Sequence, residues 1–285
     1  MITSSEQAKD YLEHLRNTDP NKKRRIDKDD SWYFDEKEYI SNSMLKQFQK
    51  GGIRNYICYL NGELKTSSKA FDIGSAFHCM VLEPEEFSNR YFVVNDEEIC
   101  DEIGGKKPRM TKKYKEWYQN EIIPSADGLT ILSQDEMNNL DEMFASLSKI
   151  DEATSLIKAC DLVENIYTNN FNGVKVKCKV DGIKFENFVV DLKTTSSNVM
   201  EFTRTCNKFD YDQAAAFYCD IVDVNNYYFV VVETMYPYNV GVFKADDSFL
   251  ERGRTKYEQG LKDLTYHLSN PDLDVSKKFI SQTLY

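Results

Sequence analysis

The stretch VDGIKFENFVVDLKTT, residues 180–195, decides how this chain is read. Its second half, FVVDLKTT from Phe188 to Thr195, sets Asp191 and Lys193 into an otherwise apolar run. Residues two apart on a strand project to the same face. Asp191 and Lys193 therefore point together, and Phe188, Val190 and Leu192 point to the other side. An ion pair at a strand end satisfies this pattern, and so does a metal ligand beside a catalytic lysine.

Working back, residues 174–183 alternate strictly, with Val174, Val176, Cys178 and Val180 on one face and Lys175, Lys177, Lys179 and Asp181 on the other. Asn172-Gly173, just before, is the strongest short hairpin signal in the chain. Residues 162–168, which contain Glu164, form a further strand candidate. Three such strands predict an antiparallel meander whose polar face carries Asp181, Asp191 and Lys193.

Helical periods surround the meander. Residues 1–38 are polar and charged and read as a loosely attached N-terminal arm. Ser41 is an N-cap candidate for a helix with Met44, Leu45 and Phe48 on one face, broken at Gly51-Gly52 and resumed to Leu60. Residues 70–82 form a helix in which Gly74 and His78 share one stripe. A glycine costs about 0.8–1 kcal/mol inside a helix, and it often marks a close approach. Residues 133–159 predict one helix or two, 198–222 another with small residues at 214–216, and 249–268 a last one after a hairpin around Pro237. The expected fold is α/β (α+β), a central mixed sheet flanked by helices, with residues 39–285 as a single domain.

Of the 285 residues, 41% are hydrophobic and 29% charged, an ordinary soluble mix. No apolar run approaches the roughly 18 residues of a membrane span, and the start lacks the apolar core of a secretion signal. The expectation is a cytoplasmic protein. Seven cysteines without CxxC spacing predict free thiols. The net charge of −11 weighs against broad nucleic-acid binding. Binding uses local patches, however, and two exist: Lys22, Lys23, Arg24 and Arg25, and the run Lys106, Lys107, Arg109, Lys112, Lys113 and Lys115. Each is a candidate for phosphate contact or simply a solvated face. His14 and His267 read as surface residues.

Two carboxylates on one sheet face repel each other, and holding both ionised requires a cation between them. Oxygen ligands of this kind suit Mg²⁺, for which Mn²⁺ may substitute. A lysine beside them can stabilise charge that develops on an attacked phosphate.

The run at 180–195 resembles the core of the PD-(D/E)xK nuclease superfamily, with Asp181 as the first acid and Asp191-x-Lys193 as the second motif. ISNSMLKQF and FDIGSAFHCMVLEPEEF resemble the N-terminal part of phage RecE-like exonucleases, the exodeoxyribonuclease VIII type. In that branch a G-x-x-x-H helix supplies a metal-ligating histidine, a spacing that Gly74 to His78 fits. DYDQAAAFYCDI resembles the family's Gln/Tyr helix, and the resemblance runs over residues 39–268. The family's Gln and Tyr stand four apart, whereas Gln213 and Tyr218 are five apart. Either Ala214 replaces the glutamine or Phe217 replaces the tyrosine.

The resemblance implies a restriction-endonuclease-like core. His78, Asp181, Asp191 and the Leu192 carbonyl would hold Mg²⁺, and Lys193 would orient the attacking water. Glu164, Gln213 and Tyr218 would support the site; Glu164 is also readable as a strand-edge charge. The implied activity is 5′-to-3′ digestion of linear double-stranded DNA from its ends. The product would be 3′ single strands for a single-strand annealing protein, made by a homo-oligomer in a bacterial or phage-infected host cell. A DNA-binding module that does not cut, or an endonuclease of the same fold, are the alternatives.

Overall fold

The computed structural model describes residues 24–26, 29–64 and 69–270. The described part of the expected arm packs on the sheet. β1 (Arg24–Ile26) pairs antiparallel with residues 166–168 at the sheet edge. Helix α1 (Asp30–Asp35) is N-capped by Asp29. At the centre of the docking is Lys177, which lies on the polar face of the alternation and is only 1% exposed. A buried ammonium needs partners. Its Nζ donates to the carbonyls of Tyr33 and Glu36, and the Trp32 and Tyr33 rings lie beneath it at 5.7 and 4.9 Å. Burial still lowers its pKa to about 8. Lys22, Lys23 and His14 lie outside the described residues.

β2 (Ile40–Ser41) leads into α2 (Asn42–Leu60), whose N-cap is Ser41 as the sequence predicts. Gly52, at φ +69 and ψ −166, breaks the helical backbone where the sequence predicts, and two helical pieces meet there at a kink. α3 (Lys69–Leu82) follows. After single helical turns at Pro84–Glu86 and Phe87–Arg90 come β3 (Tyr91–Val94), α4 (Glu97–Ile103), α5 (Lys112–Trp117) and β4 (Thr130–Ser133). β3 and β4 pair in parallel as a separate two-stranded sheet. Neither strand was expected, because four residues are too few to show a period.

This segment is organised by a buried acid. Asp96, 3% exposed, accepts two hydrogen bonds from Arg109, at 2.6 and 2.9 Å, and one from the Tyr114 hydroxyl. Arg109 also pairs with Asp135, Lys113 with Glu102 and Lys112 with Glu116. Half of the second basic cluster is thus neutralised within the chain, which leaves Lys106, Lys107 and Lys115 of the expected phosphate contacts.

α6 (Gln134–Ser148) and α7 (Asp151–Ala159) precede the meander of β5 (Leu162–Phe171), β6 (Val174–Lys184) and β7 (Phe188–Thr195). Asn172 and Gly173 both have positive φ, 53° and 91°, as a two-residue type I′ hairpin turn requires. α8 (Phe202–Phe209) and α9 (Tyr211–Val222) then cross over to β8 (Asn226–Glu233), parallel to β7. β9 (Val240–Lys244) turns back antiparallel, and α10 (Asp247–Ser269) closes the described chain.

The main sheet runs β1-β5-β6-β7-β8-β9, with β2 against β6. It is mixed and covered on both faces, as expected. Val189, Tyr227, Phe229 and Val231 pack against α2, α8, α9 and α10. Phe188, Val190, Leu192, Val230 and Val232 pack against α3, α6 and α7. His267 is half-buried against Phe48, ring centroids 5.5 Å apart, rather than on the surface. All seven cysteines are free. No helix among the described residues is long and apolar enough to cross a membrane.

Gly253 on α10 meets α9 so closely that a Cβ there would stand 1.9 Å from the Asp212 carbonyl oxygen. Gly253→Ala is expected to destabilise the fold by about 3 kcal/mol, the upper end for overpacking, read as a lower urea midpoint at unchanged slope. Arg109 holds the Asp96 carboxyl down to about 2 against the opposing effect of burial, with Tyr114 assisting. A depressed folded-state pKa stabilises above the unfolded value and is lost as pH falls through the folded one. Arg109 is half exposed, which discounts the pair. The stability advantage of wild type over Asp96→Asn is expected to shrink by about 1–2 kcal/mol between pH 5 and pH 2, measured by melts across that range.

Candidate active site

β6 and β7 pair at only three positions: Gly182 with Val190, Ile183 with Val189 and Lys184 with Phe188. Beyond them the strands part, and β2 takes the free edge of β6 at Val176 and Lys177. Asp181 and Asp191 are the first residues past this fork. The Leu192 N–H, no longer used by the ladder, donates to Asp181 Oδ2 at 2.8 Å.

Across β5, Glu164 faces Asp181. The two are the positions missing from the β5–β6 register, between Val163–Gly182 and Asn165–Val180, and Glu164 is the less regular. Its φ is +50, a region disfavoured for residues with side chains. Strain of this kind clusters at functional sites. His78, Glu164 and Asp181 each place a ligand atom within 4.8 Å of the others. His78 Nδ1 lies 3.6 Å from Asp181 Oδ2, and the Leu192 carbonyl lies near the same ring. Gly74, one turn earlier, lets α3 come this close: a Cβ there would stand 3.2 Å from Thr194 Oγ1. Lys179 ties Glu164 to Asp30 of α1, with 2.7 Å to each carboxylate.

Asp191 faces a different set of partners. Its Oδ1 accepts from Lys193, and its Oδ2 accepts from the Tyr227 hydroxyl at 3.0 Å. The Lys193 ammonium stands 5.6 Å over the Tyr211 ring. The expected ligand set thus falls into two adjoining groups: His78 with Asp181, the Leu192 carbonyl and Glu164, and Asp191 with Lys193.

Burial, and then the Lys193 charge, lower the His78 pKa to about 4, so the ring is neutral near pH 7 and keeps a lone pair to offer. Burial and the nearby Asp191 push the Asp181 carboxyl well above its usual range. Burial opposes the Lys193 charge, but Asp191 and Asp181 outweigh it and raise that pKa. An imidazole and two carboxylates whose ligand atoms lie within 4.8 Å of one another form a donor set that fits a divalent cation.

Gln213 and Tyr218 separate. Gln213 is buried in an amide network, donating to Asn42 Oδ1 and accepting from Gln49 Nε2. Tyr218 packs against Tyr227, ring centroids 6.5 Å apart, where burial raises its pKa and the Asp191 and Asp181 charges add to the effect. On α9 it is therefore the Tyr218 stripe that turns to the site, with Ala214 one turn before it. Tyr211 and Tyr227 were not foreseen. The seven-residue spacing of Tyr211 and Tyr218, two helical turns, was the available signal for the first. Tyr227 lay hidden in an apolar strand.

The PDDEXK-like domain of unknown function (DUF3799) matches residues 41–271. A crystal structure described as "Putative exonuclease" from Eubacterium rectale is similar at a TM-score of 0.55 and 17% identity, over 90% of this chain and 97% of that one. The alkaline exonuclease LHK-Exo from Laribacter hongkongensis is similar at a TM-score of 0.30 and 12% identity, over 66% of this chain and 96% of that one. No curated protein matches the sequence. With the forked sheet, its acids and its lysine in place, and the match spanning nearly all of the described fold, the chain belongs to the PDDEXK-like DUF3799 family.

Proposed function

We propose that this protein is a divalent-metal-dependent deoxyribonuclease that digests linear double-stranded DNA from its ends. The single observation that carries this reading is the fork between β6 and β7, which gathers Asp181, Asp191 and Lys193 beside His78 and Glu164. The finer features rest on the RecE-like resemblance of residues 39–268: 5′-to-3′ polarity, Mg²⁺ as the working ion with Mn²⁺ able to replace it, 3′ single strands handed to an annealing protein, and a homo-oligomer in the cytoplasm.

His78, Glu164 and Asp181 would hold the cation, with Asp191 and the Leu192 carbonyl alongside. Bound there, it would lower the pKa of a coordinated water and stabilise the leaving oxygen. The chain does the rest. The Leu192 N–H fixes the Asp181 carboxylate, and the Tyr227 hydroxyl fixes that of Asp191. Lys193, charged and held by Asp191, orients the attacking water and balances charge that builds on the phosphate. The apolar packing of Val190 and Leu192 behind it keeps the strand from shifting.

Lys193→Ala is expected to slow cleavage about 10²–10³-fold while circular dichroism and melting show a folded protein. The assay is linear duplex labelled at the 5′ or the 3′ end, with Mg²⁺, with Mn²⁺ and with chelator. Early release of the 5′ label supports the polarity, and closed circular DNA is expected to survive. Absence of cleavage in both metals, or an unimpaired Lys193→Ala, overturns the reading. His78→Ala and Glu164→Gln are each expected to weaken Mn²⁺ binding about tenfold or more, followed by calorimetric titration. Unchanged affinity in both would move the cation site elsewhere.

A further inference from the structure

Thr194 to Ser197, which follow Lys193 on β7, form one wall of a cleft of about 640 Å³. The other walls come from Thr234 and Met235 at the end of β8, from α8 through Arg204 and Lys208, and from Tyr211. The cleft thus lies outside the carboxyl ends of two adjacent parallel strands, where open α/β sheets bind their ligands.

Its polar lining suits a phosphodiester chain. Thr194, Thr195, Ser196 and Ser197 line it together with Arg204 and Lys208. One acid, Glu201, is present and contacts Arg204 at 3.3 Å. At the inner end two ammonium groups share the Tyr211 ring, Lys193 at 5.6 Å and Lys46 at 5.8 Å. Cations therefore continue from the candidate reaction centre outward along α8.

The rim differs in character. Met235, which lines the cleft, is 65% exposed, and Tyr236, next in the chain, is 86% exposed; Met200, the residue before the lining Glu201, is 84% exposed. Exposed apolar side chains of this size, beside a basic track, suit stacking with unpaired bases. The volume admits a nucleotide or two, whereas the major groove of a duplex alone is about 12 Å wide.

We infer that this cleft is a single-strand subsite: phosphates of the strand next to the scissile bond lie along Arg204 and Lys208, and an unpaired base stacks at Met235 and Tyr236. The inference rests on the nuclease reading for the direction of the strand, but it is testable without cleavage.

The probe is a fluorescein-labelled oligothymidylate of twelve residues, with a twelve-base-pair blunt duplex as comparison. Binding is followed by anisotropy in chelator over a salt series. The double variant Arg204→Ala/Lys208→Ala is expected to bind the single strand about tenfold or more weakly. The slope of log affinity against log salt should flatten by about 1.4, from about 0.7 for each lost single-strand phosphate contact. Tyr236→Ala is expected to weaken binding several-fold with no change of slope, since a ring carries no charge. A control that removes the same charge elsewhere, Lys149→Ala/Lys158→Ala, is expected to leave both quantities near wild type. The subsite is overturned if the cleft variants bind the oligonucleotide as wild type does, if the control loses as much as they do, or if the duplex depends on the same residues equally. A protein that fails to cleave yet shows the cleft-dependent binding would defeat the nuclease reading and keep the subsite.

Discussion

Two carboxylates brought together in a buried part of a sheet set the terms for everything around them. Asp181 and Asp191 stand where β6 and β7 part, Asp191 buried and Asp181 half-buried, so water dilutes their charge only in part. Repulsion at short range in a poorly polarisable interior is costly. The surroundings answer it with a lysine on one acid, a tyrosine hydroxyl behind it, a strand amide on the other acid, and an imidazole kept neutral nearby. A fully paired β6–β7 ladder would occupy the Leu192 amide and leave Asp181 without its donor, so the fork and the acids require each other.

The fork in turn depends on layers that lie further out. β2 takes the edge of β6 that β7 abandons, and α1 covers the lysine face that would otherwise stay wet. The covering is held by Lys177, whose ammonium has carbonyls and aromatic faces as its surroundings. It is extended to the site by Lys179, which joins Asp30 of α1 to Glu164. The N-terminal segment therefore touches the same group of charges that the central strands carry. At the same group of charges α3 approaches closely enough for His78 to reach Asp181, because Gly74 adds no side chain toward Thr194.

The strand alternation at 174–195, the Asn172-Gly173 turn and the Asp-x-Lys spacing were all legible before any coordinates, since each depends on neighbours along the chain. The N-cap at Ser41 was legible for the same reason. Short β3 and β4 were not, because four residues carry no period, and the docking of α1 was not, because a lysine written in alternation with valines looks solvated. The pairing within the charged run at 106–115 was hidden for a related reason: Asp96, the partner of Arg109, lies ten residues before the run and is buried. The helix at 211–222 was ambiguous by one residue in sequence, and only packing decided between its stripes. Gln213 turned into an amide network with Asn42 and Gln49, and Tyr218 turned toward the acids.

The sequence by itself determined which chemical groups the protein owns and which of them share a strand face or a helical stripe: Asp191 with Lys193, Gly74 with His78. These follow from the two- and near-four-residue periods of extended and helical backbone. Only the tertiary structure decided that Glu164 belongs with His78 and Asp181, that Asp191 is held by Lys193 and Tyr227, and that Arg109 serves Asp96. The reason is physical. Coordination and ion pairing act over a few ångströms, and at that range the neighbours of a side chain are chosen by how strands part and helices cross, not by their distance along the chain.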